Sequence, residues 1–105
     1  MAKFMFKATY SKEGLQGSVD EGFANREAYI RELMSGMGVS VEAIYWALGE
    51  EDLYIVMDAP RENVVGASIA ATLSGAGKIT TVALMSAAEM DAAVASMPNY
   101  RAPGG

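Results

Sequence analysis

The sequence predicts an α+β fold, because four strand patterns and two amphipathic helical patterns alternate as strand, helix, strand, strand, helix, strand. That order is the order of the ferredoxin-like fold. By analogy with that fold, the four strands should form one antiparallel sheet in the order 4-1-3-2, with both helices on one face. A chain of 105 residues, 51% hydrophobic and 20% charged, is large enough for one hydrophobic core.

The first half of the chain contains one clear strand and one clear helix. Apolar and polar residues alternate over 3–10, which is typical of a strand with one buried face. The segment SKEGLQGSV carries two glycines that weaken a continuous helix, so we expect a short turn capped by Ser11. From about Asp20, apolar residues recur on one helical face, and this helix should end at Gly36 or Gly38.

The second half supplies the remaining elements. VSVEAIYWAL and DLYIVMDA are predicted to be two strands joined by a short hairpin at GEE, and Pro60 ends the second strand. A helix rich in Gly and Ala should follow over 62–74, where small residues allow close approach to the sheet. KITTVALMS is the fourth strand. Ser86 and Glu89 then have the spacing of a capping box, which predicts a short C-terminal helix.

The domain is therefore expected to cover residues 1–97, and the polar segment PNYRAPGG should be a flexible C-terminal tail at 98–105. The first ten residues lack the sustained apolar run of a signal peptide. The most apolar long segment, VVGASIAATLSGAG, is too short to cross a bilayer. We therefore expect a cytoplasmic protein with no membrane partner.

Composition excludes several kinds of chemistry. The chain has no cysteine and no histidine, so disulfides, thiolate nucleophiles, imidazole catalysis and the usual zinc, copper and haem ligands are excluded. We expect no cofactor and no metal site. The net charge is −5 without a basic block, so the phosphate neutralisation that nucleic-acid binding requires is missing, and we expect no nucleic-acid partner.

Alternation along the strands predicts two different sheet faces. If Gly49 pairs with Asp52, then Leu48, Trp46 and Ile44 point the same way as their partners, toward the helices, and Trp46 belongs to the core. The opposite face is too apolar for open water and too polar for an ordinary core. It collects Lys3, Met5, Lys7, Thr9, Tyr45, Ala47, Tyr54, Val56 and Asp58. A second copy of the sheet would cover it, which predicts a homodimer enclosing a barrel.

The stretch YWALGEEDLYIVMDAP resembles the signature of the GYD family, small bacterial proteins of the dimeric α+β barrel type. Tyr45 and Trp46 match its aromatic pair, Gly49 and Asp52 match its glycine and aspartate, and a terminal Ala-Pro matches the strand end. Glu51 stands where the family has its tyrosine. YSKEG and an early helix arginine, at position 26, add to the resemblance. The resemblance implies a fold and a dimer, and it implies no particular reaction.

The acidic cluster GEED has two interpretations. As a turn, it uses Gly49 for backbone freedom and the Asp52 carboxylate to accept a hydrogen bond from a nearby backbone N–H. As a metal site, it offers hard oxygen ligands but lacks the spaced loop of calcium sites. The turn interpretation is the one favoured here.

Six residues are ligand-binding candidates: Lys7, Thr9, Tyr45, Trp46, Asp52 and Tyr54. A lysine facing an enclosed space loses hydration, which suits it to anion binding or proton transfer. The simpler alternative is that Lys7 and Lys3 pair with Asp58 or with an acid of a partner chain.

Two functions are compatible with these residues. The first is a homodimeric domain that binds a small molecule or a partner protein without catalysis. The second is a cofactor-independent oxygenase or isomerase of a small aromatic or lactone-like substrate, by analogy with other barrels of this type. In that case Lys7, Tyr45, Tyr54 or Asp52 would transfer protons, and Trp46 would lie against the substrate. The absence of histidine and cysteine favours the first.

Overall fold

The computed structural model describes residues 2–105 and contains one open four-stranded antiparallel sheet with the strand order β2-β3-β1-β4. The elements in chain order are β1 (Ala2–Tyr10), α1 (Lys12–Glu21), α2 (Phe23–Gly36), β2 (Ser40–Trp46), β3 (Leu53–Ala59), α3 (Arg61–Leu73), β4 (Gly77–Leu84) and α4 (Ala87–Ala95). This order is the predicted 4-1-3-2 counted from the other edge. The α+β, ferredoxin-like prediction is therefore confirmed.

Side chains on one face of the sheet form the hydrophobic core under α2 and α3. β1 and β3 are the central strands, and their register places Phe4 opposite Met57 and Phe6 opposite Ile55. Both pairs are buried, together with Met34 of α2 and Val64 of α3. Burying side chains of this size contributes about 1.5–3 kcal/mol each, so this layer supplies most of the stabilisation of the sheet.

The predicted turn after β1 is wrong, because the chain forms α1 there and then α2, with a break between them. Gly22 separates the helices at φ 94°, a conformation that favours glycine. Ser11 caps the first turn of α1, where its hydroxyl oxygen accepts from the Gly14 backbone N–H at 3.0 Å. The cap and the local packing of α1 outweigh the helix-weakening effect of two glycines.

The predicted hairpin register is wrong by two residues. Trp46, rather than Leu48, lies opposite Leu53, and the connection is a loop over 47–52 closed by a hydrogen bond from the Ala47 N–H to the Asp52 carbonyl. Leu48 is fully exposed, at 106%. The slip is an even number of residues, so it exchanges no residues between the two faces. A bulge between Val41 and Ala43 shifts the alternation by one residue at the start of β2, so that Val41 lies opposite Met57, on the helix side.

The C-terminal helix α4 begins at a capping box, as predicted. The Glu89 N–H donates to the Ser86 hydroxyl at 3.2 Å, and the Ser86 N–H donates to the Glu89 carboxylate at 2.9 Å. That second bond is the main reason why the pKa of the Glu89 carboxyl lies below its usual value. Every residue of α4 is exposed. The radius of gyration is 17.0 Å, against about 13 Å for a compact domain of this length, because this arm extends from the body.

Gly14 allows α1 to approach the loop between α3 and β4. The Ser11 N–H donates to the Ala76 carbonyl at 2.9 Å, and the Ser11 hydroxyl donates to the Gly75 carbonyl at 2.7 Å. A Cβ added to Gly14 would lie 1.8 Å from the Ala76 carbonyl oxygen. A Cβ added to Gly17, one helical turn later, meets nothing within 4 Å. The close contact with Ala76 therefore requires glycine at position 14, whereas nothing nearby requires it at position 17.

We predict opposite effects for two alanine substitutions in α1. Gly14→Ala should destabilise the fold by about 2–3 kcal/mol, because the clash is with backbone that cannot rotate away. Gly17→Ala should stabilise it by about 0.5–1 kcal/mol through helix propensity. Urea unfolding of both variants measures the difference. Equal effects of the two substitutions would refute the close contact at Gly14.

Candidate functional site

The open sheet face, on the side away from the helices, carries four of the six candidate residues. Lys7 lies opposite Tyr54 of β3 and opposite Thr80 of β4, and Tyr54 lies opposite Tyr45 of β2. These side chains form one row across the sheet. Thr9 lies on the same face, two residues after Lys7 in β1. Tyr45 is 72% exposed.

The neighbouring rows of the open face differ in chemistry. Met5 lies between Val56 and Val82, so an apolar row crosses the middle of the sheet. At the end of the sheet, Lys3 forms ion pairs with Glu42 and, at 3.5 Å, with Asp58. The hydrogen bond to Glu42 is the largest cause that raises the pKa of the Lys3 ammonium. The expected pairing is confirmed for Lys3. Lys7 forms no ion pair within residues 2–105.

Asp52 holds the β2–β3 loop against the end of β1. Its carboxylate accepts from the Tyr10 backbone N–H at 2.8 Å, and its own N–H donates to the Ala8 carbonyl at 2.9 Å. Glu51 accepts from the Thr9 hydroxyl at 2.6 Å. Both acids therefore bind neighbouring groups of β1. A structural role for Asp52 fits the turn interpretation, although the strand it holds is β1 rather than the hairpin partner.

Trp46 lies on the helix side of the sheet, away from the other aromatic candidates. Its indole N–H donates to the Tyr10 hydroxyl at 2.9 Å. Its ring meets that of Phe23 edge to face, with 5.5 Å between centroids. Half-buried, Trp46 packs against the core, as expected. The six candidates are thus divided between the open face, the loop after β2 and the helix side, and they do not form one site.

A cleft of about 310 Å³ lies on the helix side, between α2, α3 and the sheet. This volume is at the lower end of the range for small-molecule pockets. Two groups of residues line it. The α2 and sheet side chains are mainly large and apolar, among them Ile30, Leu33, Met37, Leu53 and Ile79. The residues from α3 and its C-terminal cap are small, and they are Gly66, Ala67, Ala70, Ala71 and Ser74.

The cleft is closed at one end by a contact between the two helices. The Asn63 side-chain amide donates to the Met37 carbonyl at 2.6 Å, which joins the start of α3 to the end of α2. Met34 and Val64 are buried beside this junction. From there the lining residues continue toward Tyr10, Arg26 and Ser74 at the other end. We therefore describe an apolar cleft with a closed end at Asn63 and a polar end at Arg26.

Sequence reasoning missed this cleft. The small residues of α3 predict a close approach of that helix to the sheet. In the structure α3 packs chiefly on β4 and α2 on β2, which are the two edges of the sheet. The signal was present as Gly and Ala at positions 66, 67, 70 and 71. Such a row marks either close packing or an unfilled space, and periodicity alone does not distinguish the two.

A second depression, of about 410 Å³, lies between the end of α2 and β2 and is lined by only six residues. It is broad and open to solvent, so the cleft between α2 and α3 is the better candidate. Within residues 2–105, no three acidic side chains lie close enough together to hold a metal ion. None of the helices described over those residues is both long and apolar enough to cross a membrane.

Fold and cleft together define a ferredoxin-like α+β domain with an apolar cavity between its helices and its sheet. The model of the GYD domain family matches residues 4–94, which include every strand in nearly full length and all but the last residue of α4. The chain therefore belongs to the GYD domain family. No curated protein and no solved structure matches the chain.

Proposed function

We propose that this chain is a homodimeric domain that binds a small organic molecule, without catalysis, in the cleft between α2 and α3. The observation that carries the proposal is the cleft itself. An apolar cavity within a packed protein leaves side chains without van der Waals partners, and a ligand supplies those partners. The residues that could fill it from α3 are glycine and alanine.

The cleft favours binding over catalysis because its lining offers no carboxylate or imidazole as a general base. Its lining residues include no Asp or Glu, and the chain has no histidine. Lys78 borders the cleft, but it lies opposite Thr9 in the sheet, so its side chain belongs to the open face. Lys7 and Tyr54, the residues suggested for proton transfer, are on that face as well. No observation therefore favours the alternative of a cofactor-independent enzyme.

We predict that a substitution filling the cleft abolishes binding of an apolar probe. The neutral dye N-phenyl-1-naphthylamine should bind saturably to the wild-type protein, with energy transfer from Trp46, the only tryptophan. Ala70→Phe places a ring in the cleft and should weaken binding at least about tenfold. Ala28→Phe adds the same ring to α2, about 200° around the helix from Arg26, and should leave binding unchanged.

Two outcomes of these titrations would contradict the proposal. One is a wild-type protein that does not bind the dye, and the other is an Ala70→Phe variant that binds it as tightly as Ala28→Phe does. In the second case the dye binds elsewhere on the surface. Circular dichroism of both variants shows that they are folded.

The homodimer proposal rests on the open face of the sheet. The apolar row of Met5, Val56 and Val82 and the exposed Tyr45 have no cover within the described chain. Face-to-face packing of two such sheets would bury this row at about 10 Å separation. In a dimer with two-fold symmetry both copies contribute the same surface, so this one apolar row on each chain is enough to form the interface.

We predict that Val56→Glu prevents dimerisation, because each new carboxylate would be buried against the partner sheet. Val65→Glu introduces the same charge on the exposed surface of α3 and should leave the dimer intact. Light scattering at micromolar concentration should give twice the chain mass of 11.1 kDa for the wild type and Val65→Glu, and the single mass for Val56→Glu. A wild-type mass of one chain would refute the dimer.

A further inference from the structure

We infer that the ligand of the cleft is a small organic carboxylate, with its apolar part between α2 and α3 and its carboxylate bound by the Arg26 guanidinium and the Tyr10 hydroxyl. This inference rests on the proposed function, since it assigns a ligand class to the same cleft. Both residues line the cleft at its polar end.

The charge of the cleft is opposite to the charge of the protein. The chain carries −5 overall, with 13 acidic residues, and none of these acids lines the cleft. Arg26 and Lys78 are the charged residues at its border, and Lys78 extends from the other face of the sheet. Arg26 is thus the one cationic group that borders the cleft from the helix side, and within residues 2–105 its acidic partner is Glu21, at 3.5 Å. A guanidinium in this position favours a ligand with one negative charge, because it can form charge-assisted hydrogen bonds to a carboxylate.

Arg26 is held in place while its hydrogen-bond donors stay unused. Its guanidinium carbon lies 4.9 Å from the centroid of the Tyr29 ring, within the range of a cation–π contact. Its ion pair with Glu21 is long, at 3.5 Å, and both side chains are about one-third exposed. Within residues 2–105 the Arg26 side chain donates no hydrogen bond. The planar fork that binds carboxylates in two parallel bonds is therefore available.

Arg31 shows the contrast on the same helix. Its Nε donates to the Glu27 carboxylate at 2.9 Å, and its Nη1 donates to the Val41 carbonyl at 3.4 Å. Arg31 does not line the cleft between α2 and α3. The two arginines thus differ in the use of their donors: Arg31 has an ordinary structural role, and Arg26 keeps its donors for another acceptor.

Tyr10 supplies a second donor. The Trp46 indole can only donate, so in their 2.9 Å hydrogen bond the Tyr10 oxygen is the acceptor. The hydroxyl hydrogen of Tyr10 then remains free, and the described residues offer it no acceptor. Phe23, which packs on Trp46, precedes Arg26 by three positions on α2 and so lies on the same side of that helix. Tyr10 and Arg26 therefore face the same end of the cleft.

The shape of the cleft determines the size and polarity of the part of the ligand that lies beyond its carboxylate. The closed end near Met37 and Asn63 is lined by apolar side chains and small residues, so it accepts a hydrocarbon chain or one aromatic ring. A volume near 310 Å³ limits the ligand to a small molecule. An aryl- or alkyl-carboxylic acid has this combination of a flat or linear apolar part and one charged end.

Two competitors with the same phenylbutyl skeleton, one ending in a carboxylate and the other in a neutral hydroxyl, test the inference. 4-Phenylbutyrate and 4-phenyl-1-butanol should each displace N-phenyl-1-naphthylamine from the wild-type protein, the carboxylate at about tenfold lower concentration. The alcohol is the more apolar of the two, so the hydrophobic effect alone gives the reverse order. In Arg26→Gln the carboxylate should lose its advantage, so that the alcohol displaces the dye at an equal or lower concentration than the acid does. Arg31→Gln should retain the wild-type preference.

The outcomes separate this inference from the proposed function. Failure of the wild-type protein to bind the neutral dye overturns the proposed function. Dye binding with equal displacement by the acid and the alcohol overturns the carboxylate inference and leaves the cleft as a neutral apolar site. A carboxylate preference that persists in Arg26→Gln overturns the role of Arg26.

Discussion

The alternation of side chains along β1 and β3 is the constraint on which both surfaces of this domain depend. These two strands occupy the centre of the sheet, so every second residue has neighbours on both sides. Phe4, Phe6, Ile55 and Met57 fill one face and require helices above them. The residues between them, from Lys3 to Thr9 and from Tyr54 to Asp58, necessarily meet on the other face. The two-residue alternation along β1 and β3 therefore creates both the face that the helices cover and the face that stays open.

Coverage of the first face is incomplete, and the proposed site follows from that. α2 packs chiefly on β2 and α3 on β4, while a hydrogen bond at Asn63 joins the helices at one end only. The space above the centre of the sheet would close if α3 carried larger side chains. Glycine and alanine at positions 66, 67, 70 and 71 keep it open. The cleft thus depends on four small residues of α3 whose side chains carry no charge and no hydrogen-bonding group.

Sequence reasoning succeeded where a short-range pattern determines the structure. The alternation over 3–10 located β1, and the spacing of Ser86 and Glu89 located the start of α4. It failed where long-range contacts decide. α1 forms despite two glycines because its first turn binds the loop at Ala76, and the β2–β3 loop is longer than predicted because Asp52 is bonded to β1. The cleft was missed for the same reason, since it depends on the separation of helices distant in sequence. Four site candidates lie together on the open face, but Trp46 and Asp52 do not join them.

The most direct test of the central claim, that the ligand site lies on the helix side of the sheet, is the measurement of intermolecular nuclear Overhauser effects between 4-phenylbutyrate and the methyl groups of the protein. Methyl groups are present on both faces, so either answer is visible. The structure predicts effects from the phenyl protons to Ala67, Ala70 and Ile79, which line the cleft. Effects confined to Val56 and Val82, on the open face, would contradict the account.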